Sequence, residues 1–189
     1  MYDLAIIGGG PAGQSAALFA SKAGLSTLLL DNEKGLTQRA LLKNHYGVFE
    51  ASGAELVATG HRQIERFGTI IQKAQITGIE PSDGGFLIHS EQGETFTAQQ
   101  IILATGANAA LAQSIGVTTA AGKEKYVKTV IEVDGVGHTN LPGIWAAGVA
   151  AGVSVHTIVT SGDGARVAIN LISEKQGARY TDHDKLENS

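Results

Sequence analysis

At 189 residues, with 43% hydrophobic and 17% charged residues and a formal net charge of -4, the chain carries enough apolar material for one buried core. It has no basic excess with which to hold nucleic acid or an anionic membrane surface. It contains no Cys, which excludes disulfide frameworks, thiolate metal sites and thiol chemistry by its own side chains. No apolar run approaches the ~18 residues a membrane span needs, and no basic segment precedes the first strand. Neither membrane insertion nor a signal peptide is expected, and the reading is cytoplasmic.

The apolar run Leu4-Ala5-Ile6-Ile7 leads into Gly8-Gly9-Gly10-Pro11-Ala12-Gly13 and then into an Ala-rich helical pattern. This is the order strand, glycine turn, helix. In G-x-G-x-x-G, Gly8 permits the tight turn, Gly10 lets the backbone approach a pyrophosphate, and Gly13 lets the helix pack on the strand. Pro11 suits the first helical turn, whose N–H groups and positive dipole end then face a phosphate. A second strand over residues 26–30 ends on Asp31, about twenty residues beyond the glycines, where a carboxylate can accept bonds from ribose hydroxyls. The plainer alternative is a compact turn and a surface acid closing a strand.

Residues 32–47 read as a loop with a short helix. Leu56, Val57, Ile64 and Phe67 then recur at near-helical spacing, with Ser52 in the cap position and Gly68 closing the pattern. Residues 69–79 read as one β-branched strand ending at Pro81. Residues 86–89 and 95–97 follow turns and complete a three-stranded antiparallel meander. Residues 100–104 form a further buried strand. Residues 107–122 lack periodicity and are the expected flexible region. Residues 126–133 have strand character, 144–147 form a short buried strand with Trp145 in the core, and 157–172 make the last long helix. A single domain over residues 1–178 is expected, with 179–189 a charged, flexible tail.

The glycine turn, the run Ile101-Ile102-Leu103-Ala104-Thr105-Gly106-Ala107 and the run Asn140-Leu141-Pro142-Gly143-Ile144-Trp145-Ala146-Ala147-Gly148 together resemble the flavin domain of thioredoxin reductases. Asn44-His45-Tyr46-Gly47, Glu65-Arg66-Phe67-Gly68, Tyr126-Val127-Lys128-Thr129 and Ser161-Gly162-Asp163-Gly164 are similar pieces, so the resemblance covers nearly the whole chain apart from the tail. It implies an α/β fold, a three-layer FAD/NAD(P)-binding, Rossmann-like domain of parallel sheet, helices and antiparallel β-meander. In that family an NADPH domain bearing the redox dithiol is inserted after the Ala-Thr-Gly motif. Here only residues 107–125 occupy that space, too few for a domain of roughly 100 residues. No second G-x-G-x-x-G is present.

The resemblance implies FAD as cofactor. Gly8, Gly10, Pro11, Ala12 and Gly13 would hold its pyrophosphate, and Asp31, followed by Asn32, its adenosine ribose. Backbone groups of Gln75 and Ile76 would meet the adenine. Leu36, Thr37 and Asn44 would lie along the cofactor toward the flavin ring, and Ala104, Thr105 and Gly106 would border the nucleotide. Gly148 and Val149 stand where the family has a ribityl-binding Gly-Asp. His156 and Thr157, at the start of the last helix, would face the pyrimidine side of the ring, where a helix N-terminus favours negative charge. His156 is the candidate for catalysis near the flavin, against a packing or capping role. His45, His61, His89, His138 and His183 show no metal-ligand spacing and read as surface residues, so no metal is expected.

Two functions are open. One is an FAD-dependent oxidoreductase supplied with electrons by a separate reductase or redox partner protein, with a homodimer as its expected assembly. The other is a non-catalytic FAD- or ADP-binding module acting as a sensor or through contacts, which Val149 favours. A small NAD-dependent dehydrogenase is the weaker third, opposed by the Ala-Thr-Gly and Ala-Ala-Gly motifs.

Overall fold

Apolar runs bounded by glycines set the centre of the molecule, a computed structural model that describes residues 1–185. β1 (Tyr2–Ile7) is followed by the glycine turn and α1 (Pro11–Lys22), and β2 (Thr27–Asp31) returns parallel to β1 with Leu4 opposite Thr27 and Ile7 opposite Leu30. A 3-10 turn at Leu36–Arg39 and the small pair β3 (Leu41–Leu42) and β4 (Ala51–Ser52) lead to α2 (Gly53–Glu65). Ser52 caps α2: its Oγ accepts the Glu55 N–H, and the Glu55 carboxylate accepts the Ser52 N–H in return.

The single strand expected over residues 69–79 is two strands. β5 (Ile70–Lys73) runs parallel to β2, while β6 (Ile76–Ser82) pairs antiparallel with β7 (Gly85–Ser90). The break falls at Ala74, whose N–H is taken by the carbonyl of Asp31 as the chain leaves the end of β2. Pro81 lies inside β6 instead of ending it, because β6 is an edge strand where a missing N–H costs little. Conversely, residues 95–97 and 100–104, expected as two strands, form one, β8 (Thr95–Leu103). The glutamines at this point of the strand are both used: Gln100 accepts the Trp145 indole N–H at 2.9 Å and Gln99 accepts from Lys175 at 2.8 Å.

Residues 107–122, expected to be flexible, hold α3 (Ala110–Ser114) and β9 (Thr119–Ala121), which pairs antiparallel with β10 (Thr129–Ile131). Ala109, Ala112 and Val117 are buried, so small side chains packed over short elements replace the periodicity that was missing. β11 (Ile144–Ala146) lies parallel to β8, a second 3-10 turn spans Gly148–Ala151, and α4 (Thr157–Gln176) runs beyond Ile172 to stop at Gly177, φ +68°.

The parallel strands lie in the order β5-β2-β1-β8-β11, and the first half of β8 continues into the antiparallel β8-β7-β6 meander. Because alternate residues face opposite ways, β1 and β2 send Ala5, Ile7, Leu28 and Leu30 to one core with Ile79, Ile88 and Ala98 of the meander. Leu4, Ile6 and Leu29 go to the other, against Ala16, Ala17 and Ala20 of α1 and Val167 and Leu171 of α4. The three-layer architecture expected from the sequence is present. Trp145 belongs to the helix-side core. No helix among the described residues is long and apolar enough to cross a membrane.

Beyond α4, Tyr180 N–H donates to Ser173 Oγ at 3.0 Å, and Lys22 pairs with Asp182 at 2.9 Å and Asp184 at 2.6 Å. These contacts lay the first part of the expected tail against α1. Its last four residues, 186–189, lie outside the described residues.

His138, expected as a surface residue, is half-buried and stacks on Trp145 with ring centroids 3.8 Å apart. Asp134 Oδ2 meets its Nδ1 at 2.9 Å and Glu174 Oε2 its Nε2 at 2.8 Å. Burial opposes the imidazolium, but the two carboxylates outweigh it and the pKa lies above the ordinary value. The stability this ring contributes is therefore present below its unfolded-state value of about 6.5 and lost as pH rises through the higher folded value. Wild type is expected to exceed His138→Gln in melting temperature by more at pH 5.5 than at pH 8.5. An equal difference at both would show that the ring acts through packing alone. Trp145, the only Trp, reports the transition by fluorescence.

Candidate functional site

Each glycine of the first turn answers a different close approach. Gly8 has φ +114° and donates its N–H to the Leu30 carbonyl at 2.8 Å, and a Cβ there would lie 2.2 Å from the Ala104 carbonyl oxygen. A Cβ on Gly13 would lie 1.9 Å from the Gly8 oxygen, which is how α1 comes to sit on the end of β1. Gly9 faces Asp31: its N–H donates to Asp31 Oδ1 at 3.0 Å, and a Cβ would fall 2.5 Å from that carboxyl. Gly10 is the contrast. It caps α1 at φ -75°, and nothing lies within 4 Å of where its Cβ would be.

Gly10 is followed directly by the start of α1. The N–H groups of Ala12 and Gly13 there have no carbonyl one turn back to receive them; Gln14 N–H bonds the Gly10 oxygen at 2.9 Å. Gln14 is buried, and its side-chain amide donates to the carbonyls of Gly9 at 2.9 Å and Val57 at 3.1 Å, stapling α2 to the turn. From the other side, Gly148 at φ +73° and Gly164 in α4 both press on Ala12; a Cβ on Gly164 would lie 2.0 Å from the Ala12 oxygen. Five segments thus meet at one small cleft: the turn, the ends of β2, β8 and β11, and the middle of α4. The arrangement offers backbone donors and a helix dipole to an anion, with a carboxylate beside it.

Of the residues singled out from the sequence, Gly8, Gly10, Pro11, Ala12, Gly13, Asp31, Ala104 and Gly148 converge on this cleft. Asp31 is buried and spends one oxygen on Gly9, leaving the other free for a ligand. Asn32 donates to Gln75 Oε1 at 2.9 Å, so these two stand side by side at the ends of β2 and β5, and the Gln75 amide also reaches the Ile76 carbonyl at 3.3 Å. Thr105 is occupied with Asn108, its hydroxyl donating to that carbonyl at 2.6 Å, and Gly106 follows at φ +66°. Val149 is half-buried in the 3-10 turn after Gly148.

Leu36 and Thr37 lie on the first 3-10 turn, where the Thr37 carbonyl packs on Gly53 of α2 and Leu36 is exposed. Asn44 sits in an exposed loop, residues 43–49, that borders a shallow, open concavity of about 640 Å³ lined by none of the glycine-turn residues. The next residue connects this loop to α4: His45 Nδ1 and Thr157 Oγ1 are 2.9 Å apart. His156 occupies the cap position of α4, but its side chain does not cap; its Nδ1 is 2.8 Å from Ser154 Oγ and the residue is exposed.

Sequence reasoning missed Gly9, Gln14 and the pairing of Asp163 with Gly148, all contacts between residues distant in the chain or hidden by the spacing of the motif. The reading of the histidines as surface residues holds for His183, which is exposed, and needs correction for the others. His45, His61 and His89 are half-buried, and the Nε2 of His61 is buried without a hydrogen-bond partner.

The family pattern described as pyridine nucleotide-disulphide oxidoreductase matches residues 2–130. A thioredoxin reductase of Helicobacter pylori is 38% identical over 112 residues, 56% of this chain and 36% of that protein. One of Peptoclostridium litorale is 36% identical over 127 residues, 65% of this chain and 40% of that protein. Their matched regions thus span well under half of each relative. Among solved structures, the atypical thioredoxin reductase TRi of Desulfovibrio vulgaris Hildenborough superposes with a TM-score of 0.81 at 22% identity, over 94% of this chain and 99% of that one. The thioredoxin reductase of T. acidophilum gives 0.75 at 18% identity, over 93% and 99%. At these identities the likeness is one of fold, and it extends beyond residue 130, where the family pattern stops.

Proposed function

The chain belongs to the pyridine nucleotide-disulphide oxidoreductase family, and from that premise we propose that it holds FAD in the glycine cleft and acts as an FAD-dependent oxidoreductase drawing electrons from a separate donor. The observation that carries this reading is the open space before Gly10, faced by the unpaired N–H groups of α1 and flanked by Asp31. A pyrophosphate fits that cradle, because nothing lies within 4 Å of where a Gly10 Cβ would stand and because the positive end of α1 favours an anion there. Asp31, with one free oxygen, takes the ribose, and Asn32 and Gln75 border the adenine. When bound, FAD supplies reversible redox chemistry that no side chain of this Cys-free chain provides. The chain binds the cofactor and orients it, and His156 is the exposed titratable group at the start of α4.

The electron source is a separate reductase or redox partner protein in the cytoplasm. A second copy is the proposed cover for Leu41, Tyr46 and Phe49, which are exposed on the loop that His45 ties to α4. The test is the absorption spectrum of the purified chain before and after dithionite. Flavin bands that bleach and return in air support this reading; bound ADP, or no nucleotide after incubation with FAD, overturns it.

A second reading, a non-catalytic nucleotide-binding module, is favoured by Val149, where the resemblance calls for a carboxylate. Val149→Asp is expected to tighten FAD binding by about 1.5–3 kcal/mol, on the order of ten- to a hundredfold, if the new group reaches a ribityl hydroxyl. Titration of the apo protein with FAD checks it. Weaker binding by the variant would mean that the turn is shaped around the valine.

A further inference from the structure

Asp163 is a buried carboxylate in the middle of α4, and both of its oxygens are engaged. Oδ2 accepts the Gly148 N–H at 2.7 Å, while Oδ1 accepts from Arg166 Nε at 3.0 Å and Nη2 at 2.9 Å. Arg166 Nη1 continues to the Gly135 carbonyl at 2.7 Å, and Asn170 Nδ2 donates to the Val136 carbonyl at 2.9 Å. Asp163, Arg166 and Asn170 recur at helical spacing, so they form one polar seam along α4 that grips the chain on either side of β11. Nothing on the seam other than Asp163 reaches the Gly148 turn.

Gly148 is the point at which this seam touches the nucleotide cleft. It is held at φ +73°, directly after the Ala147 N–H has bonded the Leu103 carbonyl at 3.0 Å, and its Cα packs on the Ala12 side chain. Resting on the reading of the cleft as an FAD site, we propose that Asp163 is a positioning residue: by accepting the Gly148 N–H it fixes the Gly148–Ala151 turn against the first turn of α1 and so sets that wall of the cofactor cleft. The physical basis is a buried acceptor for a backbone N–H that would otherwise go unsatisfied, combined with a left-handed backbone conformation that needs an outside anchor. Without that acceptor the Ala147–Gly148 peptide is free to rotate, and Val149 moves with it.

The test compares Asp163→Ala and Asp163→Asn in the full chain. FAD affinity and the shape of the bound flavin absorption bands are measured, together with melting of the apo protein. Asparagine keeps an oxygen for the Gly148 N–H but loses the charge that pairs Arg166, so it should lower the apo melting temperature and leave FAD affinity within about threefold of wild type. Alanine should lower both, with FAD affinity falling about tenfold or more and the flavin bands losing fine structure. If the alanine variant does not fold, the asparagine variant decides alone: affinity falling about tenfold along with stability would overturn positioning in favour of a structural role only. A folded alanine variant that binds FAD as wild type does would also overturn it. Wild type that binds no FAD removes the cofactor reading itself, an outcome separate from either result with the variants.

Discussion

Gly10→Val is expected to leave the chain folded and to weaken FAD binding by at least about a hundredfold. The backbone at Gly10, φ -75° and ψ -177°, is accessible to any residue, and no atom lies within 4 Å of the added Cβ, so the apo fold has room for the side chain. A hundredfold loss is about 2.7 kcal/mol, a modest demand on a branched side chain placed where a pyrophosphate must approach the backbone. Gly13→Val is the control. Its Cβ would lie 1.9 Å from the backbone oxygen of Gly8, which no rotamer relieves, so that variant should fail to fold. Melting and FAD titration of both variants separate a ligand cradle from a packing glycine. A folded Gly10→Val protein with wild-type affinity would place the nucleotide elsewhere.

How much of this was legible in the sequence depends on how local each contact is. Gly10 and Gly13 could be read because their tasks are met within one strand, turn and helix, and Gly8 because the motif names it, although the carbonyl it makes room for, that of Ala104, lies at the end of β8. Gly9 could not, since its neighbour Asp31 lies on the next strand. Residues 69–79 looked like one strand because β-branched side chains suit β5 and β6 alike; the bond from Ala74 to the Asp31 carbonyl and the turn to a new partner, β7, divide them. Residues 98 and 99 fell between the strands expected over 95–97 and 100–104, and the partners that β8 finds for its glutamines, Lys175 for Gln99 and Trp145 for Gln100, are supplied by elements much later in the chain. The same holds for His138, whose setting between Asp134 and Glu174 draws on α4. Asp163 and Gly164 fell within the helix expected over 157–172, but the partner of the carboxylate, the Gly148 N–H, was not legible.

The FAD-loaded chain is expected to accept electrons from NADH or NADPH slowly and without saturation. Hydride transfer requires the nicotinamide to be held near contact distance from its acceptor, and binding in that geometry is worth on the order of 7–11 kcal/mol of the barrier at best. The chain has one glycine turn of the dinucleotide type, and in the proposed function that turn is the one given to FAD. Residues 107–125, where the resemblance places an inserted nucleotide domain, are instead committed to α3, β9 and the approach to β10, with Ala112 and Val117 in the core. A nicotinamide must therefore meet the cofactor by collision, and the observed rate should rise linearly with its concentration. A separate NAD(P)H-dependent reductase, which binds the nicotinamide in its own site, should raise the rate well above that line. Anaerobic stopped-flow reduction measures both. Fast reduction that saturates with NADH or NADPH alone would reveal a second nucleotide site on this chain and would defeat the proposal that its electrons come through a partner.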